Sequence, residues 1–215
     1  MAEIPSPKDV TNDFVGYEVL VDFMKERVLH ELEGDIIEIG AFIGGGTAKL
    51  AKYAQRYGKD VYAVDVFDPG HDKTRDTGGT RMCDIYEAFL QGRSQWEVYC
   101  ETTRGFDNII TIDKDSRDVE FSQKQHFVFG FIDGNHDPEY VRNDFYLVWG
   151  NLVPGGSVGF HDYDFDLPEV TETVDSIIAE HKDEIDDIHE IKESHIVLLV
   201  KKTLTGGRPP QNHEN

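Results

Sequence analysis

Apolar and polar residues follow two different periods along this chain, and together they predict alternating strands and helices. Short apolar runs of strand length occur near residues 36–39, 61–65, 109–112, 127–132, 157–160, 188–191 and 195–200. Between them, helices are predicted for residues 15–30, 47–56, 138–149 and 168–181. This alternation predicts an α/β fold with a seven-stranded, mostly parallel sheet, doubly wound in three layers.

The apolar runs also indicate how deeply the sheet is buried. F-V-F-G-F-I at 127–132 and I-V-L-L-V at 196–200 are apolar without alternation, which is typical of strands covered on both faces. A length of 215 residues suits one α/β domain with a substantial core. We therefore predict a single domain over residues 1–205, with residues 1–34 as an N-terminal helical cap and residues 206–215 as a disordered tail.

Composition narrows the partners and the compartment. The net charge is −21, from 42 acidic and 21 basic residues, and no Lys/Arg cluster reverses it locally, so a nucleic-acid substrate is not expected. No run has the length of a membrane span, and the N-terminus lacks the apolar core of a signal peptide. Cys83 and Cys100 indicate neither a disulfide framework nor a cysteine zinc site. We predict a cytoplasmic protein, with a homodimer as an open alternative for its assembly.

The candidate chemistry begins where the first predicted strand ends. Residues 35–47 read D-I-I-E-I-G-A-F-I-G-G-G-T, so a short apolar strand carrying Glu38 runs into a glycine-rich turn and then a helix. Glycines let the backbone approach a ligand closely, and a helix start offers free N–H groups. The next strand ends at Asp65, near the distance at which nucleotide-binding folds place a carboxylate on a ribose. The pattern predicts a ligand that contains adenosine.

Three ligands compete for this turn. A nucleoside triphosphate is disfavoured, because Gly46 stands where the phosphate-binding lysine of a P-loop is needed. A dinucleotide is disfavoured, because Phe42 occupies the place of the second glycine of G-x-G-x-x-G. S-adenosylmethionine has no phosphate and needs an acidic residue, a wide glycine turn and a ribose carboxylate, which Glu38, the turn and Asp65 supply.

Two further segments extend the pattern, and with the turn they carry a family resemblance. They read F-I-D-G-N-H-D-P-E-Y-V-R-N-D-F and L-V-P-G-G-S-V-G-F-H-D-Y-D, in that order. From about Asp35 to Lys202 the chain resembles the class I (Rossmann-like) S-adenosylmethionine-dependent methyltransferases. Within them it is similar to the small-molecule group related to macrocin O-methyltransferase and to cephalosporin-hydroxylase-like proteins.

The resemblance implies a transferase enzyme that methylates a small-molecule acceptor, with a hydroxyl oxygen as the expected position. It implies that Glu38 and the turn hold the methionine part, that Asp65 holds the ribose, and that Asp115 and Ser116 lie beside the adenine. The expected cofactor-binding residues are Glu38, Gly40, Ala41, Phe42, Gly44, Gly45, Thr47, Asp65, Val66, Phe67, Asp115, Ser116 and Asp133. A non-catalytic S-adenosylmethionine-binding protein and a hydroxylase are the alternatives.

The resemblance also makes the fourth and fifth predicted strands neighbours, so Asp133 would lie roughly 5 Å from His161 and Asp162. Two carboxylates so close repel unless a cation or a shared proton intervenes. We therefore predict a metal site at Asp133, His161 and Asp162, for Mg²⁺ or alternatively Mn²⁺ or Ca²⁺. Related enzymes often carry an acidic residue at the position of His161 and an aspartate at that of Asn135.

The catalytic residues are predicted to be His136, His161 and Asp133. Histidine is suited to take a proton near neutral pH, so either histidine is a candidate general base. His136 has two other interpretations, as a metal ligand or as a cap of the helix beginning near Pro138. The polar segment Gly70–Met82 is interpreted either as a mobile lid over the site or as an ordinary exposed loop.

Overall fold

The computed structural model describes residues 16–203, in which strands and helices alternate along the chain. The strands are β1 (Asp35–Ile39), β2 (Val61–Asp65), β3 (Ile109–Asp113), β4 (Phe127–Ile132), β5 (Leu152–Phe160), β6 (Ile185–Ile191) and β7 (Ile196–Lys201). The α-helices are α1 (Glu18–Glu26), α2 (Gly45–Gln55), α3 (Met82–Leu90), α4 (Gln95–Thr103), α5 (Pro138–Trp149) and α6 (Pro168–His181). Short 3₁₀ turns cover Leu29–Glu31, Ser116–Asp118 and Lys192–Ser194.

All seven strands form one sheet in the order β3-β2-β1-β4-β5-β7-β6. The pairs β3–β2, β2–β1, β1–β4 and β4–β5 are parallel, whereas β7 runs antiparallel to both of its neighbours. The first strand along the chain therefore lies inside the sheet, between β2 and β4. This arrangement confirms the predicted seven-stranded, mostly parallel α/β fold.

Neighbouring residues of the strands enter two different cores, one on each face of the sheet. Ile36 packs in the cluster that contains Leu20 of α1, while Ile37 packs in the cluster that contains Phe145 of α5. Both isoleucines are fully buried. Helices thus cover both faces, which explains why the strands are apolar without alternation.

The predicted elements agree with the structure most closely where strong local signals bound them. Helices α5 and α6 have the predicted limits, and each begins with a proline in its first turn. The side chain of Asp137 caps α5 by accepting from the N–H of Glu139 at 2.9 Å. Strand β5 begins at Leu152, earlier than predicted, because the P-G-G segment continues the strand instead of turning.

Other parts of the chain differ more from the prediction. Helix α1 is shorter than the predicted 15–30, and a 3₁₀ turn follows it. Helices α3 and α4, between β2 and β3, were not predicted at all. The first 15 residues of the predicted cap and the tail at 206–215 lie outside the described residues. Within the described part, no helix combines the length and the apolar character needed to cross a membrane.

Tight packing between β4 and α5 generates a stability prediction. A Cβ atom at Gly130 would lie 2.4 Å from Cγ1 of Val148 and 3.3 Å from Cγ2 of Ile37. Gly130→Ala should therefore lower the free energy of unfolding by about 1–3 kcal/mol, the usual cost of overpacking a core. Urea denaturation would measure the change. Gly78→Ala is the matched control, since a Cβ there meets only the Asp76 carboxylate of the same exposed loop. Equal stability of both variants would contradict the packing argument.

Candidate active site

The glycine-rich turn between β1 and α2 lies directly against the end of β4. Gly40 has φ +92°, and a Cβ atom there would lie 2.0 Å from the carbonyl oxygen of Asp133. The backbone N–H of Asp133 donates to the carbonyl of Ile39 at 2.8 Å, which holds the two strand ends together. Only glycine fits at this position. The turn predicted to bind the cofactor and the residue predicted to do chemistry are therefore in contact.

Glu38 is buried beneath this turn, with 1% of its surface exposed. Its Oε2 accepts a short hydrogen bond from the hydroxyl of Thr47, while its Oε1 has no hydrogen-bond partner. Burial raises the pKa of Glu38 to about 8, and the nearby carboxylates of Asp133 and Asp65 add to that effect. A cationic group reaching Oε1 would satisfy the one oxygen of this carboxylate that lacks a partner.

Asp65, at the end of β2, organises the same turn through its carboxylate. Its Oδ2 accepts from the N–H of Phe42 at 2.8 Å, and its Oδ1 accepts from the N–H of Phe67 at 2.6 Å and from Nε2 of Gln95 at 3.1 Å. Burial raises the pKa of Asp65 to about 6, although these donors act in the opposite direction. The carboxylate also lines the cavity, so a ribose hydroxyl can reach it as a further donor.

The residues predicted beside the adenine lie beyond β3. Both oxygens of Asp115 accept from Arg117, and Oδ2 also accepts from the hydroxyl of Tyr140 at 2.8 Å. Arg117 is the main reason why the pKa of Asp115 lies well below its usual range. Ser116 is buried next to it, and fully buried Asp144 of α5 has an Oδ2 without a partner. On this side of the cavity, the Asp115 carboxylate is therefore hydrogen-bonded through both oxygens, whereas Oδ2 of Asp144 has no hydrogen-bond partner.

Three side chains at the ends of β4 and β5 could together hold a metal ion. One ligand atom each from Asp133, His136 and Asp162 lies within 4.8 Å of the others. Nε2 of His136 is 2.8 Å from Oδ2 of Asp162, an ion-pair contact that lacks the alignment of a good hydrogen bond, and the histidine is only 5% exposed. A buried ring nitrogen that faces two carboxylates is suited to a divalent cation. The residues present therefore fit a metal.

The second histidine lies beside this group. Nδ1 of His161 is 3.1 Å from Oδ1 of Asp133 and 3.2 Å from Oδ2 of Asp162. The group suited to a metal thus contains His136, where sequence reasoning placed His161. His161 instead contacts both carboxylates from the side of the cavity that it helps to line.

Both histidines are electrostatically tied to these carboxylates. Burial alone would lower the pKa of His136, but Asp162 and Asp72 outweigh burial and raise that pKa to about 10. In the same way, Asp133 and Asp162 outweigh burial and raise the pKa of His161 to about 10. Without a metal, imidazolium charge therefore balances the carboxylates of the site.

A cavity of about 300 Å³ opens along these strand ends. The predicted site residues that line it are Gly40, Phe42, Asp65, Val66, Asp115, Ser116, Asp133, His161 and Asp162. The predicted residues that do not line it are Glu38, Ala41, Gly44, Gly45, Thr47, Phe67 and His136. Of these, Glu38 and Thr47 support the turn from beneath, whereas His136 lines a second cavity, which shares Asn135, His71 and Tyr140 with the first.

Sequence reasoning missed several residues of the cavity. Asp72, Tyr86 and Gln95 line it from the segment after β2 and from helices α3 and α4. The segment Gly70–Met82 is not simply exposed, because Asp72 is buried against His136. No local pattern marks these residues, since each reaches the cavity through tertiary packing.

Residues 37–163 match the sequence model of a family described as a methyltransferase domain. Among solved structures, the O-methyltransferase NovP is similar with a TM-score of 0.63 and 18% identity, over 87% of this chain and 79% of NovP. N-methyltransferase NodS from Bradyrhizobium japonicum WM9 has a TM-score of 0.53 and 13% identity, over 90% and 98% of the two chains. At these identities the likeness concerns the fold. No curated protein matches the sequence.

A third similar structure carries ligands. MycE methyltransferase from the mycinamycin biosynthetic pathway was solved in complex with Mg, SAH and mycinamycin VI. It has a TM-score of 0.52 and 15% identity, over 93% of this chain and 57% of MycE.

The buried Glu38 carboxylate predicts a pH effect on stability. The folded protein keeps the Glu38 proton up to about pH 8, whereas an ordinary glutamate loses it near 4.5. The folded state therefore binds more protons in this window, and the stability of wild type falls as the pH rises through it. Glu38→Gln should gain about 3–4 kcal/mol relative to wild type as the pH rises from about 5 to 8, at about 1.4 kcal/mol per pKa unit.

Urea denaturation at several pH values, without cofactor, would measure this difference. Glutamine keeps an oxygen for the Thr47 hydroxyl, so the variant changes charge more than packing. Glu31→Gln, at an exposed position, is the control and should differ from wild type by a constant amount. A pH-independent difference for Glu38→Gln would contradict the assignment.

Proposed function

Because the chain belongs to the methyltransferase-domain family and is a class I S-adenosylmethionine-dependent methyltransferase, we propose that it methylates a hydroxyl of a small molecule with the help of a divalent cation. One observation carries the proposal: Asp133, His136 and Asp162 converge beside the cofactor cavity, with a buried imidazole nitrogen facing the two carboxylates. Oxygen and nitrogen ligands of this kind suit Mg²⁺ or Mn²⁺. NovP, an O-methyltransferase, and MycE, solved with Mg, agree with this choice.

The cofactor S-adenosylmethionine supplies a methyl group on a positively charged sulfur. In the proposal, Glu38 attracts the ammonium of its methionine part, because Oε1 lacks a partner under the turn. Asp65 accepts from a ribose hydroxyl at the cavity, and Asp115 with Ser116 bounds the adenine. The narrow contact at Gly40 keeps the turn against β4, so the cofactor is held next to Asp133.

The strand-end group would bind and orient the acceptor. A divalent cation there would lower the pKa of an acceptor hydroxyl and relieve the repulsion between two carboxylates. Asp133 and Asp162 would contribute oxygen ligands, and His136 would contribute Nε2. Through such a cation, these three residues would position the acceptor oxygen for attack on the methyl group.

We assign to His161 the role of accepting the proton of the acceptor hydroxyl. It lines the cofactor cavity, whereas His136 lines only the second cavity and has its Nδ1 held by Asp72. Asp133 and Asp162 orient the His161 ring. A cation that neutralised these two carboxylates would let the ring be uncharged and accept the proton. The two histidines predicted as bases therefore take different roles, His136 as a ligand and His161 as the proton acceptor. A cytoplasmic location and a homodimer stay predictions from the sequence.

The cofactor assignment predicts tight binding of S-adenosylhomocysteine and no binding of ATP or NAD. Asp65→Ala should weaken S-adenosylhomocysteine binding by about 1.5–3 kcal/mol, since it removes an acceptor for the ribose and three hydrogen bonds that shape the turn. Isothermal titration calorimetry measures each ligand. Asp113→Asn, on the neighbouring strand β3 at the register position of Asp65, is the control and should bind normally. Tight ATP binding without S-adenosylhomocysteine binding would overturn the assignment.

The metal assignment predicts a thermal shift. Millimolar Mn²⁺ or Mg²⁺ should raise the melting temperature of wild type, because the cation binds only the folded group. Asp133→Asn and Asp162→Asn should each remove most of that shift, and Asp162→Asn should keep S-adenosylhomocysteine binding. Exposed Asp164→Asn, near the same strand end, is the control and should retain the shift.

The reaction itself is tested with hydroxylated small molecules and S-adenosylmethionine, followed by mass spectrometry. A methylated product that disappears with a chelator supports the proposal. An oxygenated product would indicate a hydroxylase, and cofactor binding without any product across the panel would indicate a binding protein. Full activity in a chelator, with no thermal shift, would overturn the role of the cation.

A further inference from the structure

We propose that Asp72 is a positioning residue that makes His136 a metal ligand through Nε2. The inference rests on the cation of the proposed function, but Asp72 belongs to neither the strand ends nor the glycine turn. It lies in the segment Gly70–Met82 that follows β2. Its role is to fix which nitrogen of His136 faces the two carboxylates.

The contact between the two residues is short and buried. Oδ2 of Asp72 lies 2.6 Å from Nδ1 of His136, and each residue is 5% exposed. They are 64 residues apart in the sequence, so the fold and not local structure brings them together. A buried ionised carboxylate needs such a donor.

Asp72 has little freedom to turn away. Its Oδ1 accepts from the N–H of Thr74 at 2.9 Å and from the Thr74 hydroxyl at 2.7 Å. Its backbone carbonyl accepts from the N–H of Cys83 at 3.0 Å, at the start of α3. These bonds leave only Oδ2 for His136, and they fix its position.

The Asp72 carboxylate determines which nitrogen of the His136 imidazole carries the proton. An ionised carboxylate only accepts hydrogen bonds, so Nδ1 of His136 must carry a proton. A neutral imidazole with its proton on Nδ1 has its lone pair on Nε2, the nitrogen that lies with Asp133 and Asp162. Metal-binding histidines commonly have such a carboxylate behind them, which fixes the ring and its protonated nitrogen.

The same segment also contacts the adenine side of the cavity. His71, next to Asp72, places Nε2 2.9 Å from the Tyr140 hydroxyl, which donates to Asp115. Two neighbouring residues of one loop therefore support the cofactor wall and the metal group. Of the two interpretations of Gly70–Met82, neither a free lid nor a plain exposed loop describes this anchoring.

The test compares Mn²⁺ affinity, measured by electron paramagnetic resonance titration, in wild type, Asp72→Ala and Asp72→Asn. Loss of the carboxylate should weaken Mn²⁺ binding by about 10–100-fold in both variants. In Asp72→Asn, the side-chain oxygen should stay with the fixed N–H of Thr74, which turns the amide NH₂ toward Nδ1. Nδ1 must then accept, the proton moves to Nε2, and the ligand lone pair is lost.

Three further measurements separate positioning from general damage. S-adenosylhomocysteine affinity should fall less than Mn²⁺ affinity in both variants, because Asp72 lines the cavity but its carboxylate contacts His136 and Thr74, not the glycine turn. Asp76→Asn is the matched control, since Asp76 closes a turn of the same loop through the N–H of Thr80, and it should bind Mn²⁺ as wild type does. Long-range ¹H–¹⁵N spectra of the Mg²⁺-loaded protein should show the His136 proton on Nδ1 in wild type and on Nε2 in Asp72→Asn.

The outcomes distinguish the binding of a cation from the role of Asp72 in that binding. If wild type binds no Mn²⁺, the cation of the proposed function fails and this inference fails with it. If wild type binds Mn²⁺ and both Asp72 variants bind it equally well, only the role of Asp72 is overturned. If both variants fail to fold, Thr74→Val, which removes one donor to Asp72, must lower Mn²⁺ affinity for the inference to stand.

Discussion

Four acidic side chains lie at the carboxyl ends of four adjacent parallel strands, and the surrounding groups compensate the repulsion between them. Asp65 and Glu38 lie in β2 and β1, while Asp133 and Asp162 follow β4 and β5, and these four strands are consecutive in the sheet. Strands lie about 5 Å apart, so these carboxylates crowd one edge where burial makes their repulsion costly. Hydrogen-bond donors and histidines contact each of these carboxylates and reduce this cost.

The four carboxylates are stabilised by different groups: neutral hydrogen-bond donors at the cofactor end of the edge and histidines at the other end. Asp65 is satisfied by N–H donors that shape the cofactor turn, and Glu38 is held by Thr47 with its pKa raised by burial. Asp133 and Asp162 are balanced instead by two histidines. Neutral donors fix a binding surface permanently, whereas imidazole can exchange a proton or a cation. The hydrogen-bond partners in the cofactor half of the edge are therefore fixed, whereas the half that faces the acceptor can change its protonation or bind a cation.

The part of this site built on strand ends could be predicted from the sequence, because parallel strands place their carboxyl ends at one edge. The strand ends at Asp65, Asp133 and Asp162 are marked by local apolar runs. Helices α3 and α4 were not predicted, and Gln95 and Tyr86 came into the site with them. The role of His136 depends on Asp72, a contact across 64 residues that no local pattern reveals. Spacing alone could identify two histidines beside the carboxylates, but the direction of each ring is a tertiary property.

The central position of β1 governs how the molecule assembles. This strand is the first along the chain, yet its partner β4 begins at Phe127, which pairs with Asp35 about 90 residues earlier. Closing so long a loop costs chain entropy before the contacts across the pair repay it, so parallel pairing of this kind is slow. The contact of Gly40 with Asp133 forms across this same pair. During synthesis, a chain that has not yet reached β4 consequently lacks both carboxylates of the metal group and the contact that holds the glycine turn beside them.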